Sequence, residues 1–214
     1  RQNDIPADDP QTDRGVCRRF DESSGTAGKG FAVPVLLPAD YAPMLSNIRV
    51  ALLNTSHPGN IGAAARAMKT MGLTDLWLLE PLHFPHAEAT ARASGADDIL
   101  ASAQVRQHLD DLLDDCRLVV GASARSRSIP CPELGPRECA SLVREESDQG
   151  RVAVLFGREQ SGLSNAEIDR CHYLVRIPAS PVYASLNLAA AVQVMAFAAN
   201  FIILKEKIRL IGCQ

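Results

Sequence analysis

The sequence lacks an apolar run long enough to cross a membrane, and it lacks the paired cysteines of a zinc site. Its most apolar stretch, residues 186–199, is interrupted by Asn187 and Gln193 and is shorter than the ~20 residues that a transmembrane helix needs. The six cysteines are scattered, with no CxxC spacing, so we expect reduced thiols and a cytoplasmic protein. No apolar signal segment follows Arg1, and secretion is therefore not expected.

The sequence also lacks a strong charge of either sign and the glycine-rich loops of common nucleotide sites. Its 22 Lys and Arg residues against 25 Asp and Glu give a net charge of -3, so any nucleic-acid site must be a local basic patch. Neither a GxGxxG loop nor a Walker loop is present. This argues against a nicotinamide-dependent dehydrogenase and against a nucleoside triphosphate site.

The chain divides into an irregular start and one regular domain. Residues 1–44 mix Asp, Pro, Gly, Ser and Arg without apolar periodicity, which predicts a flexible arm. Residues 45–204 alternate short β-rich runs with helical patterns, which predicts an α/β domain with a parallel sheet, followed by a short tail over 205–214. We predict strands over residues 48–53, 75–79, 117–121, 152–156 and 173–177. We predict helices over residues 61–71, 87–101, 109–115, 136–145 and 186–204.

Ligands of open α/β sheets bind beyond the carboxyl ends of the strands, so the loops there are the candidate sites. After the first strand, a Pro58-Gly59 turn leads to Asn60, which we predict to cap the following helix. On that helix Arg66 and Lys69, three residues apart, share one side. Such a pair is usually just solvent-exposed, but its position after a strand-end turn favours a binding role.

Two further loops carry unusual residues. After the fourth predicted strand, Gly157 and Gly162 flank a charged segment, which allows backbone to approach a ligand closely but also suits an ordinary turn. Ser164 is predicted to cap the helix that follows. Before the last helix, Ser185 and Asn187 lie at an entrance that suits an anion, although Ser185 could equally be only the N-cap.

A fourth segment, residues 121–128, leaves the third predicted strand with Arg125 and Arg127 two residues apart. Guanidinium groups match the geometry of phosphate oxygens. The segment is therefore a candidate contact with an RNA or DNA backbone.

Three of these segments together resemble, in order, the motifs of the TrmH-like branch of the SPOUT methyltransferases. They are NIGAAAR at residues 60–66, FGREQSGL at 156–163 and SLNLA at 185–189, and the similarity extends over residues 45–199. The resemblance implies a parallel sheet whose C-terminal part, residues 152–188, is threaded into a deep trefoil knot. It also implies S-adenosyl-L-methionine as the methyl donor and a homodimer.

The resemblance also assigns roles to individual residues. Arg66 and Ser185 would be catalytic, with Arg66 facing a site that the partner subunit completes, and no metal would be needed. The donor would be bound by Ala122, Ser123, Gly157, Glu159, Gly162, Ile177, Pro178, Ser185, Leu186 and Asn187. The RNA would be bound by Asn60, Lys69, Arg125 and Arg127.

Within this family the sequence is similar to enzymes that methylate the ribose 2'-oxygen of tRNA nucleotide 32, in the anticodon loop. The alternatives are ribosomal RNA as the substrate, or a protein that binds donor or RNA without catalysis. Those tRNA enzymes usually carry a C-terminal extension, whereas this sequence ends at Gln214, soon after the last predicted helix. If the native protein has no such extension, we expect weaker RNA binding, or a contribution from Lys205, Lys207 and Arg209.

Overall fold

The computed structural model describes residues 45–124, 130–182 and 185–211, with side chains as far as Lys205. Its centre is a seven-stranded sheet in which every pair of neighbouring strands is parallel. The strands are β1 Ile48–Leu53, β2 Asp75–Leu79, β3 Gln104–Arg106, β4 Cys116–Ala122, β5 Glu133–Leu134, β6 Arg151–Phe156 and β7 Tyr173–Val175. Their order is β3-β2-β1-β6-β4-β7-β5. All six residues of β1 are buried, as expected of a parallel strand covered on both faces.

Helices cover both faces of the sheet. They are α1 Pro58–Thr70, α2 Ala87–Ala93, α3 Asp97–Ser102, α4 Leu109–Leu113, α5 Pro136–Ser147, α6 Asn165–Ile168 and α7 Leu188–Ile211. The larger core contains Ile61 of α1, Val143 of α5 and Val192 of α7. The smaller core, on the other face, contains Leu112 of α4 and Ile168 of α6. The α/β class with a parallel sheet is thus confirmed.

The sequence missed some element boundaries for identifiable reasons. The predicted helix over residues 87–101 is two helices, because Ser94 and Gly95 adopt left-handed conformations with φ of 46° and 92° that end α2. The predicted cap at Asn60 is wrong, because α1 already begins at Pro58 and His57 is its N-cap. A proline at the first helical position is favourable because its missing N–H would have no partner there.

The last helix also differs from its prediction. Asn187 caps it, since its Oδ1 accepts from the backbone N–H groups of Ala189 at 2.9 Å and Ala190 at 3.4 Å, so Ser185 is not the cap. Contrary to the expectation from the sequence that no apolar run is long enough to cross a membrane, residues 188–205 pass that test by length and composition. The core helix of a soluble protein passes the same test, and α7 buries Met195 and Ile203 in the larger core.

An ion network ties together the amino ends of the strands, opposite the candidate loops. Arg49, fully buried in β1, donates to Asp75 at 3.1 Å and to both carboxylate oxygens of Asp115 at 2.7 and 3.0 Å. Arg151 pairs with the same two aspartates at 3.2 and 3.1 Å. The guanidinium of Arg49 also lies 3.8 Å from the ring centroid of Trp77. Burial lowers the pKa of Arg49, but the two carboxylates outweigh it and raise that pKa overall.

Candidate active site

A pocket of about 210 Å³ lies beyond the carboxyl ends of β4, β6 and β7. This is the edge of a parallel sheet where ligands usually bind. Three separate segments form it: the end of β4, the loop after β6, and the stretch from β7 into α7. The lining residues are Ala122, Ser123, Ala124, Phe156, Gly157, Arg158, Glu159, Gln160, Ser161, Gly162, Val175, Ile177, Ser185, Leu186, Leu188 and Ala191.

Most residues that the resemblance assigns to the donor lie in this pocket. Eight of the ten line it: Ala122, Ser123, Gly157, Glu159, Gly162, Ile177, Ser185 and Leu186. Pro178 lines a neighbouring groove instead, and Asn187 caps α7. The apolar lining residues Phe156, Val175, Leu188 and Ala191 were missed. Their hydrophobic character is also that of core residues, so the sequence alone gave no signal for them.

The loop after β6 is closed on itself by backbone contacts. The N–H of Arg158 donates to the carbonyl of Gly162 at 3.1 Å, and the N–H of Gly162 donates back at 2.8 Å. A Cβ on Gly157 would overlap the backbone of Gly162 and Leu163, and Gly162 has a φ of 69°. Both glycines are therefore required by the backbone, and this loop forms one wall of the pocket.

The carboxylate of Glu159 joins this loop to the loop after β1. One oxygen accepts from the backbone N–H and hydroxyl of Ser56 at 3.2 and 3.0 Å. The other accepts from the N–H of His57 at 3.2 Å and the side-chain amide of Asn60 at 3.0 Å. Burial raises the pKa of Glu159, but the hydrogen bonds, led by that from Asn60, outweigh it and lower that pKa overall. The carboxylate is thus stabilised in its ionised form.

Asn60 extends this link to the last helix. Its Oδ1 accepts from the side-chain amide of Asn187 at 3.0 Å, while its own amide group donates to Glu159. The three segments that resemble family motifs are therefore connected, one residue from each, by Glu159, Asn60 and Asn187. Residues up to 127 positions apart in the sequence meet at one edge of the pocket.

A second set of contacts holds the loop after β6 in place. Arg158 donates to both carboxylate oxygens of Glu167 at 3.0 and 3.1 Å and also to the side-chain oxygen of Asn54. Glu167 in turn accepts from the backbone N–H of Ser164, whose hydroxyl accepts from the N–H of Glu167. This reciprocal pair is a capping box, so the predicted cap at Ser164 is confirmed. Arg158 is already paired, and its guanidinium therefore acts as a support of the loop.

The basic residues predicted to contact RNA, or to act on it as catalytic groups, lie in different environments. Arg66 is exposed on α1, does not line the pocket, and makes no hydrogen bond or ion pair within the described part of the chain. Lys69, by contrast, donates to Asp98 and to the carbonyl of Gly95, each at 2.8 Å, so it supports the turn before α3. The predicted RNA contacts Arg125 and Arg127 lie outside the described residues.

Neither a metal site nor a reactive thiol is found at the pocket in the described residues. They contain no group of three or more His, Cys, Asp and Glu side chains that could hold a metal ion. Burial raises the pKa of the Cys171 thiol to about 12, so this cysteine is protonated at neutral pH and is a weak nucleophile.

Comparison with known proteins places this arrangement in a family. The curated tRNA (cytidine/uridine-2'-O-)-methyltransferase TrmJ of Sodalis glossinidius is 56% identical over 154 residues, which are 72% of this chain and 60% of that protein. The tRNA (cytidine/uridine/adenosine-2'-O-)-methyltransferase TrmJ of Pseudomonas aeruginosa is 57% identical over 155 residues, again 72% and 60%. The chain thus spans about 60% of the length of these relatives.

Structural comparison agrees with the sequence comparison. A probable methylase family protein from Haemophilus influenzae superposes with a TM-score of 0.72 at 47% identity, covering 76% of this chain and 69% of that one. The model of the SpoU rRNA methylase family matches residues 47–197, which include all three motif segments. The chain therefore belongs to the SpoU rRNA methylase family.

Proposed function

We propose that this protein transfers a methyl group from S-adenosyl-L-methionine to the 2'-oxygen of a ribose in tRNA. The observation that carries the proposal is the meeting of the three motif segments at one pocket, connected through Glu159, Asn60 and Asn187. Two relatives that are 56% and 57% identical are named as tRNA 2'-O-methyltransferases, which supports tRNA as the substrate class.

The pocket suits the proposed methyl donor. Phe156, Val175 and Leu188 give it an apolar surface for an adenine ring, while Ser123 and Ser185 offer polar contacts. At Gly157 there is no room for a side chain, so the backbone itself forms the wall and can contact the donor directly. When bound, S-adenosyl-L-methionine supplies a methyl group attached to a positively charged sulfur.

The catalytic roles are divided between the pocket and α1. Ser185, at the pocket, would orient the ribose 2'-hydroxyl for in-line attack on the methyl carbon. The new O–C bond would form as the S–C bond breaks, and the hydroxyl proton would pass to solvent water. A guanidinium group is a hydrogen-bond donor and not a base, so we propose that Arg66 holds a neighbouring phosphate and stabilises the oxygen as negative charge develops on it. Arg66 is exposed and without a partner in the described residues, so its guanidinium is free for this task. Asn60 is already paired and would act by positioning the pocket.

The finer proposal is methylation of nucleotide 32 in the anticodon loop by a cytoplasmic homodimer. Arg66 lies outside the pocket that contains Ser185, which supports a site completed by the Arg66 of a second subunit. We also propose that residues 152–188 form the trefoil knot of the SPOUT fold and that Arg125 and Arg127 bind the RNA backbone. A role of Lys69 in RNA binding would require it to leave Asp98.

Ribosomal RNA is the second candidate substrate. It is favoured by one observation, the match to a family described by rRNA methylation. The pocket would serve either RNA, since the donor and the ribose are the same in both. The choice between them depends on which RNA reaches the pocket.

The proposal is tested by supplying labelled donor with unmodified tRNA or with ribosomal RNA, followed by mapping of the modified ribose. We expect transfer to nucleotide 32 of tRNA, and we expect Arg66→Ala to abolish it. Arg137→Ala, which alters another exposed arginine on α5, should leave transfer unchanged. Transfer to ribosomal RNA alone would favour the second candidate. If the protein binds the donor but transfers methyl to no RNA, the proposal is wrong and the protein binds without catalysis.

A further inference from the structure

A second concavity adjoins the proposed donor pocket. It is a groove of about 490 Å³ lined by Ala124, Arg176, Ile177, Pro178, Ala179 and Pro181. Ala124 and Ile177 line both the groove and the pocket, so the two are continuous.

The groove combines flat apolar walls with one cation. Pro178, Ala179 and Pro181 are exposed and offer a surface against which a planar ring can lie. Arg176 is the charged group in the groove lining. Guanidinium groups contact phosphate through paired donors and stack on bases, so this combination fits a nucleotide better than a purely apolar ligand.

Arg176 is held in place but is not neutralised. Its backbone N–H donates to the carbonyl of Leu134 at 2.9 Å, which fixes its position at the edge strand β5. Its guanidinium is 3.9 Å from the carboxylate of Glu133, and the two side chains are 51% and 36% exposed. An ion pair this long and this exposed is weak, so a phosphate can displace Glu133 at little cost.

We propose that this groove binds a nucleotide of the substrate RNA that flanks the methylated one, with its phosphate on Arg176 and its base against Pro178 and Ala179. The inference rests on the proposed function, since it takes RNA as the substrate. Ala124, at the boundary of pocket and groove, directly precedes the segment that contains Arg125 and Arg127.

Direct binding of a fluorescently labelled anticodon stem-loop RNA, measured by anisotropy at several salt concentrations, tests the inference without requiring turnover. Arg176→Ala should weaken binding roughly tenfold and lower the slope of log affinity against log salt by about one. Glu133→Gln should act in the opposite direction and strengthen binding, because it frees Arg176. A merely structural role of Arg176 would not change the salt slope.

A second variant tests the walls of the groove. Ala179→Glu places a negative charge in the groove and should also weaken RNA binding, whereas Ser141→Glu, with the same net charge on α5, should not. Arg137→Ala is the matched control for Arg176→Ala. Thermal unfolding of each variant verifies that it is folded.

The outcomes separate the inference from the proposed function. If wild type binds and methylates RNA and the groove variants behave like their controls, the groove inference is wrong and the function stands. If groove variants lose RNA binding while wild type binds RNA without methylating it, the groove stands and the function fails. Absence of RNA binding by the wild-type protein would overturn the inference itself.

Discussion

At the scale of single residues, Glu159 is the centre of the pocket's hydrogen bonding. Its two oxygens accept four hydrogen bonds from Ser56, His57 and Asn60, so the carboxylate has little capacity left for a ligand. The resemblance assigns Glu159 to donor binding, and Glu159 does line the pocket. Because its oxygens are already occupied, we propose that it acts by positioning Asn60. The sequence could mark Glu159 as unusual, but its partners are about a hundred positions away and could not be found from spacing.

Replacing Glu159 with glutamine should loosen the pocket. The glutamine side chain has the same size as that of glutamate, but one carboxylate oxygen becomes an NH₂ group. This NH₂ group would face the N–H and O–H donors of the loop after β1, so the hydrogen bonds that the charged oxygen accepts from them are lost. We expect Glu159→Gln to weaken donor binding roughly tenfold or more, at about 1.5–3 kcal/mol for bonds of this kind. Calorimetric titration with S-adenosyl-L-methionine measures the change, and Glu145→Gln, on an exposed part of α5, is the control.

The pH dependence of stability gives an independent check of the same variant. The pKa of Glu159 is lowered from 4.5, so its stabilisation is present above about pH 4.5 and is lost as pH falls through the lowered value. The difference in unfolding free energy between wild type and Glu159→Gln should therefore be constant near neutral pH and shrink on acidification. A difference that grows on acidification would contradict the role of the ionised carboxylate.

Gly157 has no room for a side chain. A Cβ at this position would overlap the backbone of Gly162 and Leu163, and backbone cannot move aside as a flexible side chain can. Gly157→Ala should destabilise the fold by about 1–3 kcal/mol and abolish donor binding by opening the loop. Gly135→Ala, whose Cβ would meet only the Glu138 carboxylate at 3.5 Å, should bind donor normally. Normal donor binding by Gly157→Ala would show that the loop is not a wall of the donor site.

At the scale of elements, the sequence predicted the strands that have continuous apolar runs and missed the short strands that depend on a neighbouring strand. The five apolar strand runs were recognisable, whereas β3 and β5 are only three and two residues long and mostly exposed. These strands form because the sheet edge beside them offers hydrogen bonds, which no local pattern records. Similarly, the N-terminus of α7 was predicted correctly within two residues, but its cap at Asn187 depends on backbone geometry.

The strand ends opposite the pocket carry a prediction about stability alone. Arg49→Met removes the buried cation that joins Asp75 and Asp115, leaving their charges with Arg151 only. We expect a loss of about 3 kcal/mol in unfolding free energy, measured by urea titration, with donor affinity of the folded protein unchanged. The exposed pair of Arg117 and Glu146 provides the control, since Arg117→Met should cost less than about 1 kcal/mol. Equal losses in both variants would contradict the account of the network.

At the scale of the whole molecule, the fold class could be predicted from the alternation of strand and helix patterns. The strand order, and the meeting of the loops after β1 and β6, could not. Strand β6 lies between β1 and β4, and this order places the loop at residues 157–162 beside the loop at 54–60. Only the resemblance to a known family placed the three motif segments at one site beforehand. Four apolar residues of the pocket, Phe156, Val175, Leu188 and Ala191, became visible only once the elements were assembled.

The proposed homodimer predicts that two inactive variants restore each other. If Arg66 of one subunit serves the pocket of the other, a mixed dimer of Arg66→Ala and Ser185→Ala contains one intact site. After unfolding and refolding of an equal mixture, we expect about a quarter of wild-type methyl transfer, as random pairing into two-fold dimers gives. No recovery, with mixed dimers demonstrated by mass spectrometry, would show that Arg66 acts within its own subunit.

The most direct test of the central claim is methyl transfer to tRNA in which a single ribose, that of nucleotide 32, lacks its 2'-hydroxyl. Labelled S-adenosyl-L-methionine and the wild-type protein are supplied with this tRNA and with an otherwise identical all-ribose tRNA. The account predicts transfer to the all-ribose tRNA and none to the deoxy-substituted one, because the acceptor oxygen is missing. Equal transfer to both tRNAs would contradict it, since the methyl group would then go to another atom.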